Sequence, residues 1–367
     1  KGVGYKLTCY GNNIDNMTSN LRIAVVANSI SIHTTRWVNW LRENGHEVTV
    51  FSLIDGEDCV YFGPEPALDR SLIFNLGNEV RKTTTKLQQK IDEFKPNIVH
   101  GFYLINHGMY ASRIESYPKV ITALGSDVLI DPKESKLLSW IAKRTVKKSH
   151  SVFGPPLLTN EIKKWNLDTN LNDNFIGVDT SLFKPSEKTN TIVFARGFKQ
   201  VYNPIVVARA FESLSNKLKD HKFILCGNGP LKAETERILS NCKNIQFTGQ
   251  ISESELASIV GSAQLVISPS LSDSIPLTIL EAVASGAPVI ASNIPANQAW
   301  VDRELPVFLF KTGDSEDLAK KILTVIEDDS VLKYTIESGP KLIKENYSWE
   351  KEAGKVLKKY HDLVTQK

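Results

Sequence analysis

The tightest constraint on the fold is a rhythm. Short apolar runs rich in β-branched residues alternate with amphipathic stretches along nearly all of the 367 residues. LRIAVVANS reads as a strand, HTTRWVNWLREN as a helix closed by Gly45, and HEVTVFSL as the next strand. PNIVHGF and KVITALGSD add two more short strands. After Asp179 the rhythm restarts with TIVFARGF, NPIVVARAFESLSNKL, HKFILCGNGP and LKAETERILSN. It continues through NIQFTGQI, SESELASIVGSA, QLVISPS, IPLTILEAVA, APVIASN and DSEDLAKKILTVIEDD. Parallel strands need crossover connections, and each crossover helix buries its apolar stripe on the sheet. Repeated strand–helix units therefore predict parallel sheets with helices on both faces. Two such series, meeting near FIGVDTSLFKPSEKTN at 175–190, predict two doubly wound, Rossmann-like domains facing each other across a cleft. The expected division is a tail or cloning remnant over 1–17 and domains over 18–180 and 181–346. A C-terminal helix over 347–367 is expected to cross back to the N-terminal domain.

Several function classes are excluded early. No run of about 18 apolar residues is present, so no membrane-spanning helix is expected. The opening KGVGYKLTCYGNNIDN carries no apolar stretch of a secretory signal, and its GVG follows no strand. Cys9, Cys59, Cys226 and Cys242 are scattered without a Cys-x-x-Cys pair, which speaks against a zinc site or disulfide framework and for a reducing cytosol. The acceptor patterns at Asn16 and Asn346 are read as chance matches in that setting. Protease, α/β-hydrolase and P-loop signatures are absent, and no metal site is expected. A net charge of +3 gives no support for nucleic-acid binding. Its distribution is more informative. Between Lys133 and His150 stand Lys133, Lys136, Lys143, Arg144, Lys147 and Lys148 against Glu134, with Leu137, Leu138, Trp140 and Ile141 interleaved. Two readings of this basic amphipathic helix stand side by side: an ordinary solvated surface, or a patch resting on anionic lipid.

In open parallel sheets ligands bind beyond the carboxyl ends of the strands, so the residues after each strand come first. Arg196 follows TIVFA, with Lys199 close behind, a placement suited to phosphate. Gly227 and Gly229 follow KFILC, where a ligand can approach backbone or a tight turn can form. Asp273 follows QLVISPS, and Glu281 stands eight residues later inside an otherwise apolar helix. An unpaired carboxylate in apolar surroundings is costly, so Glu281 points at water or at something polar brought to it. Between the two acids lie the free helix-start amides of Leu277 and Thr278. Carboxylates accept hydrogen bonds from sugar hydroxyls and the amides suit phosphate, the two chemistries that a nucleotide sugar combines. In the N-terminal half, Ser29 and His33 lie in the first strand-to-helix loop, His100 and His107 flank GFYLIN, and Asp127 follows ITALGS.

The C-terminal half resembles the retaining glycosyltransferases of GT-B fold, the large group 1 or GT4-like family. The resemblance rests on GVDTSLFKP, Arg196, CGNGPLK, FTGQIS, SPSLSDSIPLTILEAVASGAPVIAS, KTGDSEDLAKKI and NYSWEKEAGKVLKKY, seven elements in family order. GHEVTVFS, PNIVHGF and TALGSDV carry it more loosely into the N-terminal half. It implies Glu281 on the nucleotide ribose, Asp273 on the donor hexose and Arg196 on the diphosphate. Lys199, Gly229, Ser274, Leu277 and Thr278 complete the implied donor site, with Gln250 and Ile251 at the base. Asp273 is an Asp where the family pattern has Glu, and Val201 stands where it has Lys, with Lys199 and Tyr202 as substitutes. Gly125-Ser126-Asp127 replaces a family histidine, which makes Asp127 a catalytic candidate beside Asp273 and Arg196. Ser29, His33, His100 and His107 are the acceptor-side candidates on the N-terminal domain. The implied reaction is metal-independent transfer from a UDP- or GDP-sugar, with no cofactor, to a glycan or lipid-linked acceptor in polysaccharide, glycolipid or glycoprotein assembly. The expected location is cytoplasmic, peripheral on the membrane face through 133–150. A soluble acceptor and a non-catalytic sugar-nucleotide-binding protein are the alternatives.

Overall fold

A computed structural model describes residues 19–64 and 73–366. The tail expected over 1–17, with Cys9, lies outside the described residues. The chain packs as two compact units. One comprises the chain up to Phe153, Ile162–Asn172 and the segment from Lys355 on; the other comprises Gly154–Glu161 and Asp173–Gly354.

The first unit is built on strands β1 (Arg22–Val26), β2 (Glu47–Ser52), β3 (Val60–Tyr61), β4 (Ile98–Phe102), β5 (Lys119–Thr122), β6 (Ser151–Gly154) and β7 (Leu171–Asp173). They lie in the order β3-β2-β1-β4-β5-β6-β7, with β3 through β6 paired in parallel. All five residues of β4 are buried, as in a strand covered on both faces. Gly45 closes the first helix in the left-handed region at φ +84, where a Cβ is disfavoured.

The second unit is built on β8 (Thr191–Phe194), β9 (Lys222–Cys226), β10 (Ile245–Gly249), β11 (Leu265–Ser268), β12 (Val289–Ser292) and β13 (Val307–Phe310). Their order is β10-β9-β8-β11-β12-β13, all parallel. Counted from its own first strand this is 3-2-1-4-5-6, the dinucleotide-fold order. The order reverses between β8 and β11, and between β1 and β4 in the first sheet. Two loops diverge at each reversal and leave a crevice beyond the strand ends.

The basic stretch differs from expectation. Lys133–His150 is not one helix: Asp131–Glu134 ends at Ser135, whose extended backbone (φ −147) and side chain cap Leu137 and open a new helix, Lys136–Lys148. Among the described residues, no helix is long and apolar enough to cross a membrane.

Candidate functional site

The crevice of the second sheet is lined by the loops after β8 and β11. Arg196, two residues beyond β8, is fixed on three sides. Its Nη2 lies 2.5 Å from Asp273 Oδ2, its Nη1 donates to Thr278 Oγ1 at 3.4 Å, and its guanidinium sits 4.2 Å from the centre of the Tyr202 ring. The ion pair is well shielded, with side chains 13% and 12% exposed. Arg196 Nε is buried and has no protein partner, a donor left over in a group that offers five. Asp273 uses its other oxygen to accept from Ser274 N at 2.8 Å. The cation is thus held in one geometry before anything binds, which lowers the ordering cost of gripping an anion.

Tyr202 reaches the guanidinium because Gln200–Tyr202 is a turn of 3₁₀ helix ending at Asn203 in the left-handed region (φ +47). Val201 acts through its backbone: its carbonyl accepts from Leu271 N at 2.8 Å and ties the two crevice loops together. Lys199 is exposed. A chain of buried polar groups anchors the β11 loop from below. Ser292 Oγ donates to Ser270 O at 2.5 Å, and Asn297 Nδ2 donates to Ser292 O at 2.8 Å. Ser270, Ser292 and Asn297 lie outside the expected site set although each supports it, and Tyr202, expected as a substitute for the lysine, braces Arg196 through its ring.

Glu281 lies in the helix Leu277–Ala284, which starts after Pro276 at the crevice. Ile279, Leu280, Ala282 and Val283 are buried, while Glu281 keeps partial exposure. The apolar back of this helix is fixed by a close crossing: a Cβ on Gly339 would stand 2.6 Å from Val283 O. That packing sets which face is left for Glu281. Leu277 and Thr278 supply first-turn amides that have no helical acceptor.

Gly229 has a packing role in the loop after β9. A Cβ there would meet Phe198 O at 2.6 Å, so its missing side chain makes room for the neighbouring loop. Phe198 N donates to Asn228 O, and Leu231 N to Phe198 O, across that contact. Gln250 and Ile251 follow β10 at its carboxyl end, Gln250 exposed and Ile251 half-buried against the core.

The first unit has its own crevice at the β1/β4 reversal. A cavity of about 240 Å³ is lined by Asn28, Ser31, His33, Thr34, Phe102, Tyr103, Asn106, His107 and Leu124. His33 and His107 are therefore brought together. Burial, then the Arg36 charge, lowers the pKa of His33, and burial lowers that of His107 to about 4. His107 Nε2 accepts from Leu53 N at 3.3 Å, as a neutral ring does. Ser29 instead braces the loop: its hydroxyl donates to Ile54 O at 3.0 Å.

Two further expectations are corrected. His100 is 1% exposed, and its ring nitrogens engage the Tyr360 and Thr122 hydroxyls while burial pulls its pKa down to about 3. It is a core residue that fastens the last helix to the first sheet. Asp127 is fully buried and accepts from Leu104 N (2.8 Å), Gly125 N (2.7 Å) and Leu124 N (3.1 Å). Burial raises its pKa to about 6, against the pull of those three donors. Its carboxylate pins together the loops after β4 and β5, both of which line the cavity, and so it positions the cavity wall. Among the described residues, no group of three or more His, Cys, Asp or Glu is placed to hold a metal ion.

The family models agree with this layout. The model for glycosyl transferases group 1 matches residues 181–342, and that for glycosyl transferase 4-like matches residues 22–154. Sulfoquinovosyl transferase SQD2 of Arabidopsis thaliana is 24% identical over 361 residues, spanning 87% of this chain and 68% of that protein. Sucrose-phosphate synthase from Thermosynechococcus elongatus matches in structure with a TM-score of 0.75 at 18% identity, over 94% of this chain and 100% of that one. Anabaena Alr3699/HepE, solved in complex with UDP and glucose, gives 0.73 at 15% identity, over 94% and 100%. With one family model on each half of the chain and two doubly wound parallel sheets beneath them, the chain belongs to the group 1 glycosyltransferases of GT-B fold.

Proposed function

We propose that the chain transfers a sugar from a UDP- or GDP-sugar to an acceptor hydroxyl, with retention of anomeric configuration and without a metal ion. The observation that carries the reading is the braced Arg196, with its unpartnered Nε, beside the start of the helix Leu277–Ala284 at the sheet reversal. A departing nucleoside diphosphate gains negative charge as its bond to the sugar breaks. A fixed guanidinium and helix-start amides stabilise that charge without reorganising, an effect worth roughly 3 kcal/mol for one donor. Glu281 accepts from the ribose hydroxyls. Asp273, which holds Arg196 with one oxygen, keeps lone pairs for a hexose hydroxyl, since a carboxylate offers about four acceptor sites. The UDP and glucose in the Anabaena neighbour support this class of donor.

The acceptor, a glycan or lipid-linked molecule, is assigned to the first-unit cavity with His33 and His107. The exposed lysines of Lys136–Lys148 support work at an anionic, cytoplasmic membrane face. Thermal melting with UDP, GDP and their sugars is the first test: one nucleotide series should raise the melting temperature, and Glu281→Ala should abolish the shift. No shift with any nucleotide overturns the donor site. Slow donor hydrolysis, unaffected by a chelator and releasing sugar of unchanged anomeric configuration by NMR, supports the reaction. Binding without turnover for any donor, acceptor or water overturns it in favour of a sugar-nucleotide-binding protein.

A further inference from the structure

Away from both sheet reversals, the first unit carries an open groove of about 460 Å³ among the helices Ile73–Phe94, His107–Ala111 and Lys136–Lys148. Its floor is apolar: Val80, Met109 and Ile141 line it and are buried. Its walls carry Arg81, Arg113, Arg144 and Lys148 against a single acid, Glu115. Among the described residues, Arg113, Arg144 and Lys148 form no ion pair. Arg113 is half-buried and donates Nη1 to Met109 O at 2.7 Å, so it is held at the floor rather than extended into solvent. The cations instead repel one another. Burial and then the Arg144 charge lower the Arg113 pKa, and burial with the Arg144 and Arg113 charges lowers that of Lys148. A cluster of like charges at an apolar floor is a built-in cost that a bound anion relieves.

The rim indicates which anion. Trp140, Arg144 and Lys148 recur at four-residue spacing and form one stripe of their helix. Trp140 is 53% exposed, with the Arg144 guanidinium 5.3 Å from its ring. A large exposed indole beside cations is the composition of a membrane-interface anchor, apolar at one end and wet at the other. Lys136, Lys143 and Lys147 are exposed on the same helix and extend the positive surface beyond the groove. We propose that the groove seats the phosphate headgroup of an anionic phospholipid, gripped by Arg113, Arg144 and Lys148 while Trp140 enters the interfacial layer. This rests on the membrane-face reading above and sharpens it from diffuse attraction to a defined headgroup site.

The test is sedimentation of the full chain with vesicles of phosphatidylglycerol in phosphatidylcholine, and with phosphatidylcholine alone. Two single variants remove the same charge: Arg113→Gln at the half-buried floor and Lys147→Gln on the exposed face outside the groove. Thermal melting confirms that both fold, and Arg144→Gln replaces Arg113→Gln if the latter does not. A seated headgroup predicts that Arg113→Gln weakens binding about tenfold or more, the loss of a charge-assisted hydrogen bond. Lys147→Gln should weaken it by no more than about fivefold, the long-range share of one cation. Equal losses, or the larger loss at Lys147, overturn the headgroup site while leaving membrane attraction standing. Absence of binding to anionic vesicles at low salt overturns both. Inorganic phosphate that raises the melting temperature while vesicles are ignored assigns the groove to a soluble anion and also overturns the proposal.

Discussion

Neutralising Asp273 should tighten nucleotide binding even as it destabilises the protein. Asp273 Oδ2 lies 2.5 Å from Arg196 Nη2, and both side chains are nearly nine-tenths covered. Asp273→Asn leaves a shielded guanidinium without its counter-charge, a loss of about 3 kcal/mol by analogy with broken buried pairs. The Asn oxygen still accepts one hydrogen bond, and Thr278 and Tyr202 still hold the cation, so Arg196 stays close to place. An incoming diphosphate then meets an uncompensated positive charge and no neighbouring carboxylate. At about 6 Å and an effective dielectric of about 20, one unit charge contributes roughly 2.8 kcal/mol to each charge on the ligand. Screening reduces this, and affinity should still rise by about tenfold. Calorimetric titration with UDP and GDP at low and high salt gives the affinity, and urea melts give the stability. The gain should shrink as salt rises. Weaker nucleotide binding by Asp273→Asn, with Arg196 intact and the protein folded, would refute the assignment of Arg196 to the diphosphate.

Four further perturbations probe the same framework. Glu281→Ala should weaken nucleotide binding by about 1.5–3 kcal/mol, the loss of hydrogen bonds to a charged acceptor, whereas Arg196→Ala should weaken binding and slow transfer beyond that loss. Calorimetry beside initial rates separates the two, and equal nucleotide affinity in wild type and Glu281→Ala removes the ribose role. Asn297→Leu should leave Ser292 without its buried donor and loosen the β11 loop, costing about 1–3 kcal/mol in a urea melt. Its KM for the donor should rise more than that of a core variant of similar stability; no such excess would mean the polar chain only holds the fold. Stability should also fall between pH 7 and pH 5. His100 and His107 have folded pKa values of about 3 and 4 against 6.5 unfolded, so protons bind the unfolded chain first. Each contributes a loss of about 2 kcal/mol at pH 5, fully developed only below its folded pKa. Asp127 acts in the other direction: its pKa of about 6 lies above the unfolded 3.8, and protonation of the folded form returns roughly 1 kcal/mol over the same window. The net loss of about 2–3 kcal/mol is read from urea melts at the two pH values, and a flat or rising profile contradicts the buried neutral histidines.

What could be read from the sequence divides along a physical line. Strand and helix placement follows from local periodicity, and residues such as Arg196 and Asp273 follow because strand ends in a parallel sheet are where side chains are free. The Ser135 break was also local, a capping serine two residues before Leu137, but the run of lysines masked it. His100 could not be read in the same way. Its place in a fully buried strand is evident only with Tyr360, 260 residues away, supplying a hydroxyl to its ring. Asp127 depends likewise on Leu104 N from a different loop. A polar residue in the core is identified by its partner, and partners distant in sequence leave no local signal. Gly229 illustrates the converse: glycine marks a close approach, and only the fold reveals that Phe198 is what approaches.

The apolar helix with a carboxylate in its middle shows how these lines meet. Leu277–Ala284 is buried on the faces that carry Ile279, Leu280 and Val283, and Gly339 lets the neighbouring helix approach closely enough to fix its rotation. Once that rotation is fixed, Glu281 has one direction left, and Thr278, three residues earlier, lies where its hydroxyl meets Arg196. Asp273 fits the same geometry. Its short side chain reaches Arg196 Nη2 while the guanidinium stays over Tyr202. The aspartate at 273 and the tyrosine at 202 therefore brace one guanidinium from two sides. Together with Thr278, the carboxylate and the aromatic face fix that arginine in position.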